Sequence, residues 1–160
     1  MIELQSSLIV DNQAISELVG PFKENGFLII RMERENLMET LLSGGKIVTS
    51  RHQNQLIGYL ILCTEDSFKW LLTAESIDIK IPLNIDELVR YITDNHILEI
   101  DQIAVAHTFA KQGIGRKMVE IAKQEAPHGL ATCILYKPFT NEASYHSFQN
   151  KILFMLSLFT

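Results

Sequence analysis

The sequence predicts one α/β domain over residues 1–160, with a mixed sheet flanked by helices. The chain is long enough for one hydrophobic core, and 47% of its residues are hydrophobic. Helical patterns come first, a strand hairpin follows, and two strand–helix units come last. A Gly-Ile-Gly sequence stands at the junction of the first of these units, where a backbone can approach a ligand closely.

The first forty residues predict one strand and two helices. Apolar residues from Leu4 to Val10 favour a strand, and Asp11 or Asn12 is a suitable N-cap for a helix that reaches Val19. A second helix is predicted from Glu33 to Leu42, because its apolar residues recur at helical spacing and two glycines follow it.

The middle of the chain predicts an antiparallel hairpin. Lys46 to Arg51 and Leu56 to Cys63 are strand-like, and four polar residues join them. Residues 64–96 are less regular, with one helix expected from about Ile85 to Thr93.

The last third carries the strand–helix units. A strand from Ile97 to Val105 leads into a helix after the glycines, and Gly129 to Tyr136 leads into a helix from Asn141 to Asn150. The final apolar segment, Ile152 to Phe159, can form one strand at most, and we expect it to be an uncovered edge that favours association.

Composition and charge exclude several functional classes. The net charge of -5 does not favour a nucleic-acid partner, which usually requires a concentrated basic face. No apolar run is long enough for a membrane span, and no leader pattern begins the chain, so we expect a cytoplasmic protein. Cys63 and Cys133 lie in apolar runs and are expected to be buried free thiols, without a zinc or other metal site.

The glycines at the strand–helix junction predict an anion site, most often one for phosphate. A dinucleotide-binding fingerprint would need a third glycine where Met118 stands. The Gly44-Gly45-Lys46 sequence lacks the first glycine and the hydroxyl residue of a P-loop. Neither of these two motifs is therefore present.

The same region resembles the acetyl-CoA-binding core of the GNAT N-acetyltransferase superfamily. Ile103-Ala104-Val105 matches the end of the family's strand, Phe109 its aromatic residue, and Gly113-Ile114-Gly115 its glycines, without a gap. The resemblance covers about residues 30–150 and implies a mostly antiparallel sheet that splays at the acetyl-CoA site. Ala110 departs from the pattern, because the family has Arg or Gln there.

The resemblance implies a set of residues that bind acetyl-CoA as co-substrate. Backbone groups of Ile103, Ala104 and Val105 would bind the pantetheine and the acetyl carbonyl. The residues expected around the pyrophosphate are Lys111, Gln112, Gly113, Ile114, Gly115 and Arg116. Asn141 matches the asparagine that opens the family's last helix near the CoA thiol.

Two carboxylates are the candidate catalytic residues. Glu99 and Asp101 are two positions apart on one strand, so we expect them on one face, where mutual repulsion raises one pKa. Glu99 occupies the position of the general base in the histone-type members of the family. Many members have a tyrosine that protonates the leaving thiolate at the position where Phe148 stands here, or Gln149 if the alignment is counted back from Phe154.

These features predict an N-acetyltransferase in which a small-molecule or peptide amine attacks acetyl-CoA directly in a ternary complex. Residues 64–96 occupy the region that lines the acceptor site in the family. The alternative is a weak or inactive acyl-CoA-binding or protein-interaction module on the same fold. We expect no nucleic-acid or membrane partner, and either a monomer or a homodimer.

Overall fold

A computed structural model of the chain describes residues 2–5, 34–66, 77–80, 84–137 and 154–158. Within these residues lie seven strands, three α-helices and one short 3-10 helix. In chain order they are β1 (Ile2–Gln5), α1 (Arg34–Leu42), β2 (Lys46–His52), β3 (Gln55–Cys63), β4 (Ile77–Lys80), α2 (Ile85–Asp94), β5 (Leu98–Val105), the 3-10 helix (His107–Phe109), α3 (Ile114–Glu125), β6 (Leu130–Lys137) and β7 (Phe154–Leu158). The predicted helices over 12–19 and 141–150 lie outside the described residues.

The strands form one mixed sheet in the order β1-β2-β3-β5-β6-β7-β4. Four of its neighbouring pairs are antiparallel, namely β1–β2, β2–β3, β3–β5 and β4–β7. The pairs β5–β6 and β6–β7 are parallel. The chain connects β5 to β6 through the helix α3, which is the usual crossover between parallel strands. The α/β class and the mostly antiparallel sheet are therefore confirmed.

The predicted hairpin is confirmed and is closed by a two-residue turn. Gln53 and Asn54 both have positive φ, 49° and 67°, which is the signature of a type I′ turn. This turn matches the right-handed twist of the two strands and leaves β2 and β3 in antiparallel register over their whole length, apart from one irregularity at Ser50 and Arg51.

The sheet is the middle layer between helices, and β3 is buried on both faces. Its even-numbered residues Leu60 and Leu62 pack under α3, together with Met118, which is fully buried. Its odd-numbered residues Tyr59 and Ile61 pack on the opposite face, with Leu37 of α1. A strand covered on both faces needs apolar residues at every position, which is why β3 shows little alternation in sequence.

The predicted uncovered edge at the end of the chain is wrong. β7 lies between β6 on one side and β4 on the other, and β4 was not predicted from the sequence. β1 also differs from the prediction, since it begins at Ile2 rather than Leu4. An apolar strand such as β7 is stable in this interior position, because both of its backbone edges are hydrogen-bonded.

Candidate active site

The centre of the molecule contains a fork where β5 and β6 part. The two strands pair at three positions only, and the last pair joins Ile100 to Thr132. The hydroxyl of Thr132 donates a hydrogen bond to the Ile100 carbonyl oxygen at 3.0 Å. From Cys133 onward β6 pairs with β7 instead. The splay implied by the family resemblance is thus present, and it starts after Ile100.

Alternate backbone groups of β5 face the gap that opens beyond the fork. The Ala106 N–H donates to the Ile57 carbonyl oxygen of β3 at 2.8 Å, which fixes the phase of the hydrogen bonding between the two strands. Because bonded and non-bonded pairs alternate in an antiparallel ladder, Ala104 also bonds to β3. The N–H and C=O groups of Ile103 and Val105 point the other way, into the gap.

The loop after β5 leaves a row of backbone N–H groups at the start of α3. Gly113 is the N-cap residue of the helix, with φ of 78°, a conformation that favours glycine. Its neighbours Ile114, Gly115 and Arg116 occupy the first turn, where helical geometry leaves backbone N–H groups without intrahelical acceptors. A Cβ atom built on Gly113 would meet nothing within 4 Å, so open space lies beside these donors.

The polar side chains around this loop differ in whether they are free to contact a ligand. Lys111 and Arg116 are exposed and can approach a phosphate. The Gln112 amide instead donates to the Thr108 carbonyl oxygen at 3.4 Å, so this side chain bonds within the loop. The Phe109 ring lies 5.4 Å from that of His52, centroid to centroid, which brings the loop against the hairpin turn.

Glu99 lies at the closed end of the fork and is 3% exposed. It stands opposite Cys63 of β3 and Ala131 of β6. Its pKa is raised to about 8, first by burial and second by the nearby Asp101 charge, while a hydrogen bond from the Cys133 side chain acts in the opposite direction. A carboxyl group with this pKa is mostly protonated at neutral pH.

Asp101 is the extra residue of a β-bulge in β5. Ile100 pairs with Leu62 and Gln102 pairs with Ile61, so Asp101 has no partner in β3. Its side chain reaches solvent, yet protein atoms on the other sides raise its pKa to about 6.

The bulge also decides which side chains share a face. Ile100 and Ile103 both pack toward α3, although strict alternation would place them on opposite faces. Asp101 and Gln102 therefore both lie on the face of Glu99, away from α3.

Three residues around the fork were not singled out from the sequence as site residues. Thr132 holds the last pair together, Cys133 bonds to Glu99, and the Tyr59 hydroxyl donates to the Gln102 side-chain oxygen at 3.1 Å. Their roles depend on contacts between strands, so no local pattern indicates them. Cys63 is a buried free thiol as predicted, whereas the free thiol of Cys133 is only partly buried.

Some predicted features lie in parts of the chain that the structure does not describe. The described residues do not include Asn141, Phe148, or residues 67–76 and 81–83 of the predicted acceptor region. Within the described part of the chain, no group of three or more His, Cys, Asp or Glu residues could hold a metal ion. No helix in that part is long and apolar enough to cross a membrane.

Comparison with protein families gives one match that spans most of the chain. The family described as the acetyltransferase (GNAT) family matches residues 12–150. A search of curated proteins found no match.

Several solved structures share the fold at low sequence identity. A ribosomal-protein-alanine N-acetyltransferase from Brucella melitensis biovar Abortus 2308 is 16% identical, with a TM-score of 0.52, over 92% of this chain and 88% of that one. A tetramutant of the BH1408 protein from Bacillus halodurans is 11% identical, with a TM-score of 0.55, over 92% and 90%. The GNAT family protein SP0256 from Streptococcus pneumoniae TIGR4 is 13% identical, with a TM-score of 0.50, over 92% and 84%.

Proposed function

Because this chain belongs to the GNAT acetyltransferase family, we propose that it transfers an acetyl group from acetyl-CoA to an amine by direct attack in a ternary complex. The observation that carries the proposal is the parting of β5 and β6 after Ile100, next to a helix start whose Gly115 lies against Ile103 and Val105 of β5. An open strand edge and a set of unbonded N–H groups at one place suit an extended ligand with a phosphate-bearing end.

The residues around the fork fit acetyl-CoA in two respects. The N–H groups of Ile114, Gly115 and Arg116 would bind the pyrophosphate, with room for it beside Gly113. The backbone groups of Ile103 and Val105 would bind the pantetheine amides and the acetyl carbonyl. When bound, acetyl-CoA supplies an acetyl group that is activated as a thioester.

The chain's own residues account for two requirements of the transfer. An N–H group of β5 that donates to the acetyl carbonyl oxygen would stabilise negative charge developing on it. An amine enters mostly as an ammonium ion, so a proton acceptor is required, and the carboxylate pair Glu99 and Asp101 is the candidate.

The acceptor of the acetyl group is an amine on a small molecule or a peptide. The two free cysteines fit a reducing cytoplasmic setting.

A thermal-shift titration with acetyl-CoA tests the binding half of the proposal. At a hundred times the dissociation constant, a ligand that binds only the native state stabilises it by about 2.7 kcal/mol. For a chain of this size we expect the melting temperature to rise by roughly 5–10 °C. If neither CoA nor acetyl-CoA stabilises the protein, the proposal fails.

A panel of amines, with released CoA thiol as the readout, tests the transfer half. Release that depends on both the amine and the protein supports the enzyme. Stabilisation by acetyl-CoA without release for any amine would instead favour a non-catalytic acyl-CoA-binding module.

A further inference from the structure

The two carboxyl groups of β5 share a face but differ sharply in their access to solvent. Glu99 is 3% exposed at the closed end of the fork, where β6 still pairs with β5. Asp101 is exposed and lies beyond the last pair, beside the open gap. An acceptor that enters the gap therefore meets Asp101 before Glu99.

The bulge is what separates the two groups. Without it, Asp101 would have a partner in β3 and would be held in the ladder, as Glu99 is by its pairing with Cys63. As the extra residue, Asp101 is released from the ladder. Its neighbour Gln102 is fixed on the same face by the buried hydroxyl of Tyr59, at 3.1 Å.

Cys133 contacts Glu99 from the other side of the fork. It is the first residue of β6 beyond the last pair with β5, and its side chain is hydrogen-bonded to the Glu99 carboxyl group. The adjacent hydrogen bond from Thr132 to the Ile100 carbonyl oxygen, 3.0 Å long, fixes β6 against β5 at this point. Glu99 thus has a defined partner on each side, Cys133 and Asp101.

We propose that Asp101 is the catalytic carboxylate that takes the proton from the amine, and that Glu99 and Cys133 are positioning residues that act through it. The inference rests on the proposed function and divides the roles within its carboxylate pair. It also reverses the expectation from the histone-type relatives, in which the position of Glu99 supplies the base.

The transfer balances in atoms and electrons with this assignment. The ammonium ion gives one proton to the Asp101 carboxylate, which later releases it to water. The nitrogen lone pair forms the new C–N bond. The C–S bond breaks, and the electron pair of the C–S bond leaves on sulfur. The second proton lost by the nitrogen ends on that sulfur as the CoA thiol.

The electrostatics of the cluster agree with this division. Asp101, with a pKa of about 6, is ionised at neutral pH, and burial together with this charge keeps Glu99 protonated up to about pH 8. In the described residues, the titratable groups that face the pair from neighbouring strands are Tyr59 and Cys63 of β3 and Cys133 of β6. Burial, and then the Glu99 charge, raises the pKa of the Cys133 thiol, which therefore remains a hydrogen-bond donor.

Two carboxyl-to-amide variants separate the roles. Asp101→Asn should lower kcat by about a hundredfold or more, the usual contribution of a general base, and leave acetyl-CoA binding nearly unchanged. Glu99→Gln should lower kcat at pH 7 by less than Asp101→Asn does, since amide and protonated carboxyl are both neutral. If Glu99→Gln loses as much activity as Asp101→Asn, or if Asp101→Asn stays active, the assignment is wrong.

The pH profile of kcat/KM tests the positioning roles, with the same amine used for every variant, because this ratio reports the pKa values of the free enzyme. Wild type should show inflections near pH 6 and near pH 8, and Glu99→Gln should lose the second while keeping the first. Cys133→Ala should move the second inflection to higher pH, because ionised Glu99 loses its hydrogen-bond donor. Cys133→Ser supplies a hydroxyl donor and should return the inflection to its wild-type pH. If Cys133→Ala lowers the melting temperature without moving the inflection, Cys133 only packs and its proposed role is wrong.

The same assays distinguish failure of this inference from failure of the proposed function. Wild-type protein that binds no acetyl-CoA and releases no CoA thiol would overturn the function and the inference together. Wild-type protein that is active, with the two variants behaving alike, would overturn the division of roles only.

Discussion

At the scale of single residues, Glu99 makes the stability of the protein depend on pH. Its pKa is raised from 4.5 to about 8 on folding, so between these values the native state binds more protons than the unfolded state. The contribution of Glu99 to the free energy of unfolding therefore decreases as pH rises from about 4.5 to about 8, and this contribution is constant above pH 8. The buried carboxyl group is thus tolerated when protonated and unfavourable when ionised.

Glu99→Gln should remove this dependence. The variant should differ little from wild type at pH 5 and be more stable by a few kcal/mol at pH 9, because each unit of pKa shift corresponds to about 1.4 kcal/mol. Urea unfolding from pH 5 to pH 9 measures the difference, and Glu87→Gln on the exposed face of α2 is the control. Parallel curves for Glu99→Gln and wild type would show that Glu99 ionises normally in the fold.

Gly113 has a left-handed backbone conformation and, in the proposed site, a separate role in binding the ligand. Gly113→Ala should lose about 1–2 kcal/mol of stability, the cost of a left-handed conformation with a Cβ atom. It should also weaken acetyl-CoA binding, because the Cβ atom enters the space beside the helix N-terminus. Gly44→Ala is the matched control, since Gly44 has φ of 91° after α1 and lies outside the site. Equal acetyl-CoA affinity of both variants, measured by calorimetry, would contradict the proposed role of Gly113 in binding.

At the scale of elements, the sequence predicts local structure better than it predicts pairing. The hairpin strands and β5 are predicted to within one residue, because apolar patterning and turn residues mark their ends. β4 has only four residues and no distinctive pattern, and its partner β7 is far away in the chain. The formation of β4 depends on pairing with β7, so a local sequence pattern does not predict β4.

The candidate site shows the same division. The glycine loop and the strand before it are visible in the sequence as a continuous motif. The bulge at Asp101 results from register with β3, so regular alternation would wrongly place Ile103 on the face of Glu99. The role proposed for Asn141 stays a prediction.

The fork between β5 and β6 should depend on the Thr132 hydroxyl. Thr132→Val leaves the Ile100 carbonyl oxygen without this donor in a buried place, so we expect a loss of about 1–2 kcal/mol. Acetyl-CoA affinity should fall several-fold as well, because the bond fixes where the strands part. Thr132→Ser retains the hydroxyl and should bind acetyl-CoA nearly as wild type does. Identical binding by the two variants would show that the hydroxyl does not set the fork.

At the scale of the whole molecule, the sheet consists of two parts joined through β6. One part contains β1, β2, β3 and β5, and the other contains β7 and β4. The proposed ligand site lies between them, at the gap. β4 covers the outer edge of β7, whose sequence FMLSL would otherwise be an apolar strand with unpaired backbone groups.

Ile79→Pro should expose that edge. Proline removes a backbone N–H and disfavours the pairing of β4 with Leu156 and its neighbours, so we expect concentration-dependent association. Analytical ultracentrifugation over a concentration series measures it, and Ile79→Thr, which keeps strand propensity, is the control. An Ile79→Pro protein with the same sedimentation as Ile79→Thr would show that β4 does not protect β7.

The alternation of backbone groups along β5 has a consequence for amide hydrogen exchange. In the middle of the sheet, Ile103 and Val105 should exchange quickly with solvent deuterium, while Ala104 between them, bonded to β3, should exchange slowly. Acetyl-CoA should slow the exchange of Ile103 and Val105 selectively, by giving their amides an acceptor. Residue-resolved exchange measured by NMR would thus report occupation of the gap directly, without any turnover.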